Sequence, residues 1–127
     1  AAAALGSPLT NDFAVISLSD LLTPADEIRR RLRCVAESGL VTCLYNPAST
    51  RRRALLAEAV ALFANERGAQ VPSGLVREAG RAGQTTWTGP LCDLPRDRVD
   101  MSTLVVIGNE HTAMLDGRLV TRRGYRT

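Results

Sequence analysis

The sequence predicts an α/β fold, a mixed and mainly parallel sheet with flanking helices. Three observations carry this expectation. Short Val/Ile/Leu-rich runs alternate with segments of helical periodicity. One of those runs, residues 40–45, is apolar almost throughout, as a strand buried on both faces is, and residues 102–108 are again Val/Ile-rich. Helix signals stand between the early strands, as βαβ crossovers require.

The elements follow in order. The opening AAAALG reads as the last turn of a helix that begins upstream. FAVISLSD, residues 13–20, reads as a short strand with a polar end. In LLTPADEIRRRLRCVAESG, Thr23 is the expected N-cap and Pro24 the first helical residue, with Asp26 and Glu27 in the first turn. Ile28, Leu32 and Val35 recur at helical spacing, and Gly39 supplies a stop. LVTCLY forms the second strand and breaks at Asn46-Pro47. STRRRALLAEAVALFANERG is the second helix, with Leu55, Leu56, Val60 and Phe63 on its inner stripe and Gly68 at its end. QVPSGLVRE gives a third strand and QTTWTGPLCDL a fourth, with Gly89-Pro90 marking an edge or bulge. The glycine-rich EAGRAGQ between them reads as an antiparallel turn. RDRVD fits one helical turn, and STLVVIG is the next strand. A turn at Asp116-Gly117 precedes a short final strand.

Composition bounds the partners. With 127 residues, one domain is the expectation. No apolar run reaches the ~18 residues of a membrane helix, and AAAALG lacks the basic stretch of a secretory signal. No membrane association is expected. All 16 basic residues are Arg, and the net charge is +3. Arginine offers planar forks suited to carboxylate and phosphate. One Trp, two Tyr and two Phe leave little for bases to stack on, so nucleic acid is not an expected partner. Cys34, Cys43 and Cys92 show no CxxC spacing, which points to reduced thiols in a cytoplasmic protein. The lone His111 reads as a loop residue, and no metal site is expected.

In an open α/β sheet, ligands sit beyond the carboxyl ends of the strands. Four strand ends here are polar or small: Ser17-Leu18-Ser19-Asp20, Tyr45-Asn46-Pro47, Arg77-Glu78-Ala79-Gly80-Arg81 and Ile107-Gly108-Asn109. Asn46 can donate and accept hydrogen bonds, and Pro47 is expected to hold it extended. Ala79-Gly80 and Gly108 would let a flat ligand approach the backbone. Arg77 and Arg81 could grip carboxylates bidentately. Plain turns and surface ion pairs are the alternative reading of these residues. Ser19, Asp20 and His111 lack the nucleophile-elbow spacing of a triad, and neither GxGxxG nor a Walker pattern occurs.

The segments AAAALGSPLTNDFAVISLSDLLTP, LYNPAST, VREAGRAGQ, VDMSTLVVIGNEHT and GRLVTRRGY resemble the C-terminal half of the precorrin-3B C-17 branch of the tetrapyrrole (corrin and porphyrin) methylases. The resemblance runs from the first residue to about Tyr125. It implies a two-domain enzyme of cobalamin biosynthesis, with its active site in the cleft between two α/β domains. It implies S-adenosylmethionine as methyl donor and a precorrin macrocycle as substrate, methylated at C-17 with ring contraction. By matching positions, Tyr45, Asn46, Pro47, Ala79, Gly80 and Gly108 would lie against the cofactor. Ser19, Asp20, Arg77 and Arg81 would face the substrate. Residues 1–20 would be the remnant of the N-terminal domain and residues 21–127 the C-terminal domain. The full enzyme is expected to be a homodimer, and this chain alone inactive.

Some positions depart from the pattern. The Gly-Asp-Pro-Gly loop that grips the cofactor in the N-terminal half has no counterpart here. Asn11 stands where the family has His, Ala25 where it has Trp, and Glu110 where it has Ser. No catalytic residue is assigned. A non-catalytic arginine-rich binding module, or a sister methylase acting at another ring position, are the other readings.

Overall fold

The computed structural model describes residues 1–46 and 50–122, with the backbone alone for residues 50–52. A 3-10 turn at Ala2–Leu5 leads into β1 (Gly6–Ser7), followed by β2 (Phe13–Ser17) and α1 (Ala25–Ser38). Next come β3 (Val41–Tyr45), α2 (Thr50–Arg67), β4 (Pro72–Arg77) and β5 (Thr85–Pro90). Two 3-10 turns, Leu91–Asp93 and Arg96–Arg98, precede β6 (Thr103–Ile107), β7 (Thr112–Leu115) and β8 (Arg118–Thr121).

The main sheet has the order β2-β3-β6-β4-β5, and a small sheet has the order β1-β8-β7. The mixed α/β class holds, but the pairing corrects the expectation of a mainly parallel sheet. Within the main sheet only β2 and β3 pair in parallel; β6 is antiparallel to both β3 and β4, and β5 is antiparallel to β4. The apolar runs were a poor guide to direction because burial on two faces does not require parallel neighbours. Here the second face is covered by the small sheet instead of by crossover helices.

Side-chain alternation divides the core into two layers. On one face Leu44, Leu75, Val105 and Ile107 pack against Ile28, Leu32 and Ala36 of α1 and Leu56, Ala59 and Phe63 of α2. On the other, Val41, Cys43, Val76 and Val106 pack against Leu5 and Leu119. Each fully buried side chain of this size contributes roughly 1.5–3 kcal/mol. The β7–β8 hairpin closes on Asp116 and Gly117, both at positive φ, as a two-residue turn demands.

One local expectation is corrected. Helix α1 has Pro24 at its N-cap, not Thr23, and its acceptor is the Pro24 carbonyl, which takes the amides of Glu27 and Ile28. Residues 1–20 are woven into the same body as the rest. Gly6 and Ser7 pair with Leu119 and Val120, Phe13–Ser17 pair with Val41–Tyr45, and Leu5 is buried. No break in either sheet falls at residue 20.

Candidate functional site

Strand direction assembles the site. Because β6 is antiparallel to both β3 and β4, those two strands point the same way, and β2 points with them. The carboxyl ends Ser17, Tyr45 and Arg77 therefore share one sheet edge. Between the last two lies only the start of β6, so the strand ends Tyr45 and Arg77 stand about 10 Å apart, two strand spacings.

At the first half of this edge, the Leu18 amide donates to the Tyr45 carbonyl at 3.0 Å and extends the β2–β3 ladder by one step. Asn46 then leaves the sheet at φ 54°, a left-handed angle, where Pro47 was expected to keep it extended. Asparagine tolerates this region better than other side chains that carry a Cβ. Its Nδ2 donates to Ser17 Oγ at 3.3 Å, which in turn accepts the Ser19 amide at 3.2 Å. Ser19 and Asp20 follow, half-buried, on the same edge. The Tyr45 ring is 40% exposed beside them. Pro47 lies outside the described residues.

At the second half, Glu78 also sits at φ 54°, its amide held by the Ser102 carbonyl at 3.0 Å. Ala79, Gly80 and Arg81 project beyond it, all exposed. Gly80 has φ 77°, and a Cβ there would meet nothing within 4 Å. Its amide donates to Gln84 Oε1 at 2.8 Å.

Sequence reasoning missed the group that braces this loop. Asp100 Oδ1 accepts the Ser102 amide, the Ser102 hydroxyl at 2.7 Å and the Thr103 hydroxyl at 3.0 Å. Asp100 Oδ2 takes Arg77 Nε at 2.5 Å. The Ser102 hydroxyl and the Arg77 guanidinium hold the Asp100 carboxyl well below the ordinary carboxylate range, and Asp100 raises Arg77 in turn. The signal was present as Asp-x-Ser-Thr, a spacing that lets a carboxylate fold back on the next backbone amides.

Gly108 does not join this site. It ends β6 at the opposite edge, beside Pro72 and the start of β3. A Cβ there would lie 2.5 Å from the Pro72 carbonyl and 2.6 Å from Thr112 Cβ. Glycine at 108 serves close packing of the chain, not access for a ligand. The same edge holds Arg67, whose guanidinium donates to the carbonyls of Val35, Ala36, Leu40 and Gly108 and stacks 4.6 Å over Phe63. Burial lowers its pKa to about 10. A wider cavity of about 640 Å³ opens there, but its arginine is committed to carbonyls, and Glu37, Glu66 and Glu110 are among the residues that line it. His111 is an exposed loop residue beside Glu110, as expected. Among the described residues no group of His, Cys, Asp or Glu is placed to hold a metal, and no helix is long and apolar enough to cross a membrane.

Comparison with known proteins sets this geometry in a family. The sequence profile described as Tetrapyrrole (Corrin/Porphyrin) Methylases matches residues 1–95. The chain is 46% identical over 125 residues to a probable cobalt-factor III C(17)-methyltransferase of Salmonella typhimurium, covering 98% of this chain and 52% of that protein. It is 44% identical over 115 residues to a precorrin-3B C(17)-methyltransferase of Sinorhizobium sp, covering 91% of this chain and 45% of the relative. The crystal structure of the methyltransferase CobJ superposes with a TM-score of 0.88 at 30% identity, over 96% of this chain and 51% of that one. The chain thus spans about half the length of the curated relatives it matches. Its profile match and its two-layered mixed sheet together place it in the tetrapyrrole (corrin/porphyrin) methylase family.

Proposed function

We propose that this chain is the C-terminal domain of a C-17 methyltransferase of cobalamin biosynthesis, acting on a precorrin or cobalt-factor macrocycle. The observation that carries the reading is the shared carboxyl edge of β2, β3 and β4, where Asn46 and Glu78 both turn out of the sheet at φ 54°. Backbone held in sparsely populated regions concentrates at ligand sites. The two relatives described above carry C(17)-methyltransferase in their names.

S-adenosylmethionine is the methyl donor in this proposal, and it supplies the sulfonium methyl group. The residues present fit such a group. Tyr45 offers a partly exposed ring for a flat base, Asn46 an amide, and the bend at Ala79-Gly80 open backbone with no side chain in the way. The chain's own work is to orient donor and acceptor and to help exclude water. Ser19, Asp20 and Arg81 border the same edge, on the side where the substrate would lie.

The other half of the cleft belongs to the rest of a longer polypeptide. Edge strand β2 leaves Phe13 and Val15 exposed, and Leu21 and Leu22 follow in the loop beyond it. An edge strand with no neighbour on its outer side among the described residues, and with an apolar face, is a surface that calls for cover. Assembly as a homodimer and residence in the cytoplasm complete the proposal; the three thiols, none of them in a disulfide, suit a reducing compartment.

Calorimetric titration of the full-length enzyme with S-adenosylmethionine tests this. Ala79→Trp fills the open space beside Gly80 and is expected to weaken binding at least tenfold with an unchanged melting temperature. Unchanged affinity would remove the donor from this edge.

A further inference from the structure

Three arginines from three separate elements border one cavity beside the candidate site. Arg53 comes from the first turn of α2, Arg77 is the last residue of β4, and Arg98 closes the 3-10 turn before β6. The cavity measures about 320 Å³ and also touches Thr85, Asp97 and Asp100. We infer that it is a carboxylate-binding pocket, and that its occupant is one carboxylate arm of the macrocyclic substrate. The second clause rests on the proposed function; the first does not.

The charge distribution is the argument. Both oxygens of Asp100 are already engaged, Oδ2 by Arg77 and Oδ1 by Ser102 and Thr103. Arg77 uses only its Nε in that pair, so its two terminal nitrogens are not bonded among the described residues. Among those residues neither Arg53 nor Arg98 is paired with a carboxylate. Other arginines are spent: Arg29 on Asp26 and Glu58, Arg30 and Arg31 on Glu27. The cavity thus gathers guanidinium groups in excess of its carboxylates, and an anion between them relieves their mutual repulsion.

The kind of anion follows from what else lines the space. Thr85 offers a hydroxyl and Val99 a buried apolar floor. Among the described residues no aromatic side chain borders the cavity, so a nucleic-acid base finds none of them to stack on. The pocket adjoins the Glu78–Gly80 bend through Arg77, within reach of a ring lying across that edge. A planar macrocycle with acidic arms would place its ring there and one arm among the arginines.

The test uses the full-length protein, an octacarboxylate porphyrin as fluorescent probe, and citrate as a simple carboxylate. Arg53→Gln and Arg98→Gln are each expected to weaken porphyrin binding about tenfold, the scale of one charge-assisted hydrogen bond. Arg118→Gln, which removes the same charge on β8, should change it less than about twofold. The porphyrin octamethyl ester should not compete. Melting curves of all variants confirm the fold. Equal binding of both porphyrin and citrate by parent and Arg53→Gln/Arg98→Gln would overturn the pocket while leaving the macrocycle reading intact. Citrate binding that depends on both arginines, with porphyrin binding that does not, would support the pocket and overturn its proposed occupant. Tighter, steeply salt-dependent binding of a single-stranded oligonucleotide through the same residues would overturn the carboxylate assignment.

Discussion

Asn46 and Glu78 hold the same backbone angle, φ 54°, each one residue past the end of its strand. The strands run the same way, so two left-handed exits stand at one sheet edge. Left-handed backbone costs a residue with a Cβ roughly 1–2 kcal/mol, and a β-branched one more.

Glycine and valine at these positions should therefore part company. Asn46→Gly and Glu78→Gly are expected to stay within about 1 kcal/mol of the parent, as relief of strain offsets the added freedom of the unfolded chain. Asn46→Val and Glu78→Val are expected to lose about 2 kcal/mol. Urea denaturation measures the difference. Equal stability of the Gly and Val variants would show that the exits are not left-handed in solution.

Arg67 ties the far edge together. One guanidinium satisfies the last carbonyls of α1 at Val35 and Ala36, the carbonyl of Leu40 and that of Gly108, and it covers Phe63. Arg67→Ala is expected to cost about 3 kcal/mol or more, because several half-buried carbonyls lose a charged donor together. Arg67→Lys should recover less than half of this, since an ammonium cannot span the helix end and the strand end at once. Thermal unfolding of the two variants decides it; full recovery with Lys would reduce the role to charge alone.

Much of this fold was legible because helix and strand periods differ. Ile28 and Leu32 spaced along a helix, and the unbroken LVTCLY, left little choice of element type. Strand direction was not legible. The run at residues 103–107 reports that both faces are buried, yet says nothing of what buries them. The cover is a small sheet that joins Gly6 to Leu119, a pairing set by tertiary contact between strands too short to carry a pattern. At the site, polar strand ends marked Asn46 and Ala79-Gly80, and the strand directions bring both to one edge. Gly108 misled because glycine reads the same whether a ligand or the Pro72 backbone comes close. Asp100 was overlooked because its local partners, Ser102 and Thr103, make its sequence resemble an ordinary turn, and its pairing with Arg77, 23 residues away, is set by the fold.

The three thiols should separate by reactivity. Cys34 and Cys92 are exposed, and Cys43 is buried in the sheet between Val41 and Tyr45. Burial pushes the Cys43 thiol up to about 11, and the thiolate is the reacting form. Iodoacetamide at pH 8 is expected to add to Cys34 and Cys92 in the native protein and to Cys43 only after denaturation. Peptide mass mapping reads the sites. Early labelling of Cys43 would mean that the small sheet opens readily and uncovers that face.

Asp100 gives the loop an acid limit. Its folded pKa is depressed by the Ser102 hydroxyl and Arg77, so the unfolded chain binds its proton more readily. The stabilisation is present above the unfolded carboxylate value of about 4 and is lost as pH falls towards the lowered folded one. Stability of the parent should thus decline below about pH 4, beyond what the other carboxylates cause. Asp100→Asn keeps some of the hydrogen bonds to Ser102 and Thr103 but removes the charge that Arg77 faces. Its stability should be lower at neutral pH and its profile flatter between about pH 4 and 2. The pair is partly exposed, so salt should shrink the difference between the two proteins. Denaturation midpoints across pH measure this directly. Parallel profiles for parent and Asp100→Asn would show that the carboxylate titrates alike in both states, and that the brace beneath Glu78 draws nothing from its charge.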